Sequence, residues 1–422
     1  MSIWLNDLTT KERQTMTACF GGWALDAFDV QIYSFVIPAL IAAWGLTKAD
    51  AGILGTTALL FSALGGLVGG ALCDRFGRVR TLQVTIIWFS LFTFLSGFAQ
   101  DFEQLLILRS LQGFGFGAEW AAGAVLMSEV VRAKYRGRAA GVVHSGFAIG
   151  WAGAAILYYI VFSQWEPASA WRAMFMIGAA PALFVIFIRR NVKESEVFKQ
   201  KAASKQVEQG LCENFRTLFS TPYLRTTLFA SLFSVGLQGG YYAVVTWLPT
   251  YLASAKGLSL SGTTGYLIVI ISGAFLGFIS GGYISDKIGR RPTFLLFALL
   301  SCSLVATYMF VDLDKGTMLV MGFPLGFCAN AMFGPTGAFY AELFPTEIRG
   351  TGQGFCYNVG RGIGALFPAL IGFLSATMPL GTAIGLYTVG AYAIAIIALI
   401  ALPETRARDI VQDTATSVPT GS

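Results

Sequence analysis

Six ionisable residues fall inside otherwise apolar stretches: Asp26, Asp29, Arg109, Glu119, His144 and Arg361. A charge at the centre of a bilayer costs about 2.5–3.5 kcal/mol or more, so such residues mark ion or substrate pathways. Asp26 and Asp29 stand in G-W-A-L-D-A-F-D and lie about 60° apart on one helical face, so both can face the same pathway. Two neighbouring carboxylates resist ionising together, the poise a proton carrier needs. The alternative is permanent pairing with an Arg or a polar contact between helices. Arg361, in N-V-G-R-G-I-G, is placed deep in its span, and no acid lies mid-span in the C-terminal half. Its partner is then Asp26 or Asp29 across the molecule, or a substrate anion held bidentately by the planar guanidinium. We read it as a substrate-binding residue.

The remaining candidates carry less specific chemistry. Glu119 follows Gly113, Gly115 and Gly117 and shares a stripe with Gln112; it either carries a proton or bridges to a neighbouring helix. Arg109, about one turn from the outer end of its span, can snorkel to the interface or join the proton path. His144 is the only histidine; an unperturbed imidazole titrates near neutrality, which makes it a candidate relay or simply a satisfied helix contact. Gln238, Tyr241, Tyr242, Asn330 and Asn358 are polar groups able to line a cavity. Trp120, Trp151 and Phe333 can stack on a ring, but 14% of the chain is aromatic, and packing uses the same residues.

These residues need elements to hold them. The chain has 422 residues, 55% hydrophobic and 12% charged, against about 25% charged in a soluble domain. Long apolar runs separated by short polar loops describe an all-α membrane protein. Twelve spans are expected, near 17–43, 51–72, 79–98, 104–128, 139–163, 170–188, 223–252, 262–284, 292–311, 317–341, 350–376 and 381–402. With the N-terminus in the cytoplasm, 23 of the 29 Lys and Arg fall on that side, leaving Lys48, Arg172, Lys256 and Lys315 outside. That asymmetry places both termini in the cytoplasm, and it accounts for the net charge of +6 without a nucleic-acid partner. No signal peptide is expected. The six cysteines suggest neither a disulfide framework nor a metal site, and no cofactor is expected beyond a coupling proton.

The chain also repeats itself. G-A-L-C-D-R-F-G-R-V-R, from Gly70 to Arg80, matches G-Y-I-S-D-K-I-G-R-R-P, from Gly282 to Pro292, 212 residues on. Glu129 with Arg136-Gly137 matches Glu342 with Arg349-Gly350, and Glu194-Ser195 matches Glu404-Thr405. Two six-helix halves follow, residues 1–188 and 223–404, with a charged cytoplasmic linker over 189–222 and a disordered polar tail over 405–422. In the loops Gly70, Asp74, Arg75, Gly77 and Arg78, and their counterparts Gly282, Asp286, Gly289 and Arg290, suit a gating and stability role. There the Asp caps the next helix or pairs with an Arg across the two halves, and the glycines permit a tight turn.

The doubled G-x3-D-[RK]-x-G-R signature, the twelve spans and R-x-x-Q-G-x-G-x-G from Arg109 to Gly117 resemble the major facilitator superfamily over essentially the whole chain. The resemblance implies the major facilitator fold, alternating access about a central site near the midplane, and a monomer as the default. No G-x4-G-K-[ST] loop suggests an ATPase, and no nucleophile–base set suggests an enzyme. D-A-F-D is similar to the D-G-F-D of aromatic-acid:proton symporters, with Ala27 in place of Gly; its wider context is closer to the sialate and monocarboxylate branch. G-A-E-W-A-A-G resembles metabolite:proton symporters. The expected function is therefore import of a small organic acid by proton symport, with the organic anion, the proton and the bilayer as partners. The compact loops suit a bacterial inner membrane. The alternative is a sugar or polyol symporter, although G-L-Q-G-G-Y-Y keeps only fragments of the run expected there in span 7. A drug:proton antiporter is disfavoured because G-F-A-I-G-W-A-G-A-A lacks the expected proline.

Overall fold

The computed structural model describes residues 2–192, 194, 211–345 and 348–406. Most of the expected linker and tail lies outside them. A short α1 (Ser2–Asn6) precedes α2 (Thr10–Trp44), α3 (Lys48–Phe76), α4 (Arg78–Ser96), α5 (Phe102–Val130), α6 (Ala133–Gln164), α7 (Pro167–Ile177) and α8 (Phe184–Asn191). After α9 (Leu211–Leu218) come α10 (Thr221–Thr250), α11 (Leu260–Ile288), α12 (Arg290–Phe310), α13 (Lys315–Ala331), α14 (Thr336–Leu343), α15 (Arg349–Gly364), α16 (Phe367–Leu374) and α17 (Leu380–Ala401).

The structure is all-helical, with twelve passes in the expected order, and proline decides where they break. Span 6 is split by Ala180–Leu183, a 3₁₀ turn holding Pro181, into α7 and α8. Pro335 divides span 10 into α13 and α14, and Pro368 stands at the first turn of α16 in span 11. A proline lacks the N–H that an inner helical turn needs and pushes the residue before it out of the α region. Among the described residues, nine helical stretches are long and apolar enough to cross a membrane on their own. The others are α5, with Glu103, Arg109, Glu119 and Glu129 along it, and the two broken spans α7–α8 and α15–α16.

The repeat extends to the helix starts. Thr47 caps α3 by accepting from the Asp50 N–H, and Ser259, 212 residues on, caps α11 by accepting from Gly262. Asp101 and Asp314 do the same for α5 and α13. Each side-chain oxygen satisfies one of the N–H groups that a helix start leaves without a partner.

The Gly77 and Gly289 turns are also twins, at φ 96° and 104°, a backbone region open to glycine but strained for other residues. At each, a glutamate from the end of the same six-helix set reaches back to the helix that follows. Glu194 accepts the Arg78 and Val79 N–H groups at 3.1 Å each. Glu404 accepts those of Arg290 and Arg291 at 2.9 Å each. Capping therefore falls to these glutamates, which differs from the expected role of the motif aspartates. Asp286 instead pairs with Arg290 at 2.5 Å, and Arg290 also reaches Glu342 at 3.2 Å. Arg78 is buried and donates to the Cys73 carbonyl, whereas Arg75 is exposed. A β-carbon at Gly282 would meet open space. Gly70 and the Asp74 side chain are outside the described set.

Burial raises the Glu404 carboxyl, but the N–H groups of Arg290, Arg406, Arg291 and Thr405 outweigh it and hold the group below the ordinary carboxylate range. A group depressed on folding adds stability above its unfolded value and loses it as pH falls through the lower folded one. Glu404→Gln should therefore melt below the parent at pH 7. The gap should narrow as pH falls below about 4.3. A gap independent of pH would contradict this account of the cap.

Within the first set α2 packs on α6 and α3 on α5; within the second α10 packs on α17 and α11 on α13. Across the sets, α6 meets α11, α3 meets α15 and α16, and α2 meets α10. The α3 seam is tightest near Lys48. There a β-carbon on Gly372 would lie 2.3 Å from the Lys48 carbonyl oxygen, and the Ala369 N–H donates to Thr56 Oγ1 at 3.1 Å. At the other end, Phe76 is exposed and β-carbons on Gly350 and Gly354 would meet nothing within 4 Å.

Candidate functional site

Where the sets meet, α2, α3, α5 and α6 face α10, α11, α15 and the α13–α14 break across about 920 Å³ of atom-free space. The wall is rich in rings: Trp23, Phe116 and Phe147 on one side, Tyr241, Phe278, Phe333 and Tyr357 on the other. Three side chains that can carry positive charge line it, Arg109, His144 and Arg361. Among the described residues no carboxyl group does so, although two aspartates were expected to face the pathway.

Arg361 is 1% exposed. Its guanidinium carbon lies 5.3 Å from the centroid of the Phe116 ring and 5.2 Å from that of Tyr357, one ring from each set. Such stacking stabilises a cation while leaving the edge of the guanidinium for hydrogen bonds. The guanidinium lies beside the Tyr242 and Tyr357 hydroxyls. Tyr242 in turn donates to Gln238 Oε1 at 3.3 Å, and Gln238 Nε2 donates to the Tyr357 carbonyl at 2.8 Å. Gln238 is thus a positioning group behind the wall rather than a lining one. Asn330 and Asn358 do not line the cavity either; they donate to the carbonyls one turn back, Gly326 and Gly354, at 2.8 and 2.9 Å. A side-chain amide in a helix has that local acceptor always within reach. Tyr241, Tyr242 and Phe333 line the cavity as expected, and Trp151 is buried in the core. The Trp120 side chain lies outside the described set.

The acids of α2 lie behind the wall, turned toward α5. Asp29, 1% exposed, accepts from Gln112 Nε2, and the Gln112 Oε1 accepts from Arg109. The amide relays between a carboxylate and a guanidinium, and both of its faces are used. Arg109 is 2% exposed, with its guanidinium 4.6 Å from the Tyr33 ring centroid, so it does not snorkel. Asp26 is fully buried and lies against Glu119. Glu119 Oε1 fills the notch at Gly22, 2.5 Å from where a β-carbon would stand. The two α5 residues of one stripe thus serve the two α2 acids in antiparallel order, Gln112 with Asp29 and Glu119 with Asp26. Asp26 lies within electrostatic reach of Arg361, but among the described residues no hydrogen bond joins the two.

His144 Nδ1 lies 2.9 Å from the Ala140 carbonyl, which accepts only, so Nδ1 carries the hydrogen and Nε2 is the free nitrogen. Its ring meets Trp23 edge-on at 5.9 Å. Residues that sequence reasoning missed are Trp23, Gln31, Phe116, Phe147, Phe278 and Tyr357, all on the wall. Only Gln31, two residues past Asp29, stood out in type from its apolar surroundings.

Comparison with known proteins identifies the family. The model of the Major Facilitator Superfamily matches residues 19–368 and 271–419. The "Probable 4-methylmuconolactone transporter" of Cupriavidus pinatubonensis is 43% identical over 406 residues, 96% of this chain and 94% of that protein. The "Cis,cis-muconate transport protein" of Acinetobacter baylyi is 33% identical, over 87% of this chain and 88% of that one. Among solved structures, a D-xylose-proton symporter superposes with a TM-score of 0.73 over 94% of this chain and 99% of its own, at 19% identity, a likeness of fold. Doubled motifs, doubled caps and a cavity between two six-helix sets thus converge with full-length relatives on one conclusion: the chain belongs to the major facilitator superfamily, and it is a multi-pass membrane transporter, not an enzyme.

Proposed function

We propose that this transporter imports a small organic carboxylate together with a proton, by alternating access across a bacterial inner membrane with both termini in the cytoplasm. The observation that carries the reading is Arg361, a buried guanidinium held between two rings on the wall of the central cavity. A neutral sugar needs no such charge. A carboxylate does, since burying an anion is costly without a paired cation. The relatives point the same way, one being named for muconate, a carboxylate. Proton coupling is assigned to the carboxyl groups of α2 and α5, the acids packed behind the cavity wall. In the proposed cycle an external proton neutralises acid charge near Arg361 and leaves the guanidinium for the substrate. The loaded cavity then turns inward and releases both.

The test is uptake into proteoliposomes under an inward pH gradient, with labelled lactate, benzoate, muconate, sialate and a neutral sugar. Uphill uptake of an acid, abolished in Asp29→Asn while exchange persists, is the expected result. Uptake of the sugar alone would promote the sugar-symporter reading and reduce Arg361 to an ion-pair partner. Unchanged uphill uptake in Asp29→Asn would remove Asp29 from the proton path.

A further inference from the structure

The two acids of α2 have different surroundings, and the difference separates their chemistry. Asp29 has a donor, the Gln112 amide. Asp26 has none: among the described residues no hydrogen-bond donor reaches either of its oxygens. Its neighbour is another carboxyl, Glu119, seated in the Gly22 notch one turn away on the face of α2. Both side chains are nine-tenths buried or more, at 0% and 2% exposed. An ionised carboxylate only accepts, so two of them in contact repel and leave the Asp26 oxygens without a hydrogen. One hydrogen placed between them supplies Asp26 with the missing donor and removes the repulsion.

We propose that Asp26 and Glu119 form a single site holding one proton between two carboxyl groups. The transport role given to it rests on the proposed symport; the sharing of the proton does not. The charged and titratable groups facing the pair are Cys19 and Asp29 on α2 and Arg361 on α15; the ring of His144 on α6 packs on Trp23 of the same α2. Cys19 donates to the Gly123 carbonyl at 3.5 Å and offers the pair nothing. With its proton the pair carries one negative charge, and without it two. Loss of the proton therefore strengthens the pull on Arg361 and sets the pair in competition with a bound carboxylate. Proton entry from the outside reverses this. The site so described takes one proton per cycle, although it contains two acids.

The test uses the full chain in lipid nanodiscs with no substrate, followed by infrared difference spectroscopy in H₂O and D₂O. At neutral pH the parent should show a protonated-carboxyl C=O band. Asp26→Asn and Glu119→Gln should each lose it, because the new amide supplies the donor and the remaining carboxyl ionises. The double variant should lose no more than either single one. Asp29→Asn should keep the band. Gly22→Ala, which crowds Glu119 Oε1 from its seat without removing an acid, should shift the band. A band that survives in either single amide variant, or two bands lost stepwise, would overturn the shared-proton site. So would a band unmoved in folded Gly22→Ala. Acid uptake that fails in the liposome assay while the band behaves as described would strike only the symport reading.

Discussion

Arg361→Ala is expected to weaken binding of the transported anion by about 30-fold to 3,000-fold. The range follows from the 2–5 kcal/mol that truncating one partner of a buried charge pair costs, at about 1.4 kcal/mol per tenfold. The residue is 1% exposed, so water cannot replace what it supplies. Arg361→Lys should fall between parent and alanine, because an ammonium restores the charge but not the planar fork or the stacking on Phe116 and Tyr357. Equilibrium binding to purified protein, using the acid that the uptake panel identifies, is the measurement. Alanine affinity within about threefold of the parent, under 1 kcal/mol, would mean that the anion is held elsewhere. The same panel run on the alanine variant should show no compensating gain for a neutral sugar.

The second large effect concerns the frame. A β-carbon on Gly117 would stand 1.7 Å from the Ser62 carbonyl oxygen, and one on Gly113 2.0 Å from that of Ala58. The obstacles are backbone atoms of α3, which cannot rotate aside, so Gly117→Ala must push α3 and α5 apart. Close backbone approach of this kind is how helices gain packing energy in lipid. The cost should sit at or above the top of the usual ~1–3 kcal/mol for overpacking. It should also tilt the stripe that carries Gln112 and Glu119. Gly123→Ala on the same helix is the control: nothing lies within 4 Å of its β-carbon, and helix propensity favours alanine by up to ~1 kcal/mol. Thermal unfolding in detergent should separate the two clearly. A Gly117→Ala protein that melts with the parent would show that the helices are not in this contact.

Much of this architecture is legible in the chain because hydropathy and repetition are long-range signals. Even a broken span such as Lys315–Leu343 remains apolar across its Pro335 interruption. The matching of Glu194 with Glu404 was visible as spacing, but its purpose was not, since a cap needs the position of a second element. Asp26 and Asp29 announced themselves as charges among apolar neighbours. Which way they turned depended on what α5 offered, and a residue's surroundings on another helix are not written in its own. Gln112 supplied a donor and Gly22 left a notch for Glu119, so both acids faced protein instead of the cavity. The wall was least legible. Rings such as Phe147 and Phe278 are indistinguishable by type from the many that only pack, and their role follows from the crossing of α6 and α11.

The paired glutamates also decide what sort of mechanical object each six-helix set is. Six rods joined only at successive bends make an open string, whose last member can swing without disturbing the third. Glu194 and Glu404 each tie the exit of such a string to the start of its third rod, which closes it into a hoop. The third to sixth rods of such a hoop share any push among them, which stiffens that part of each set.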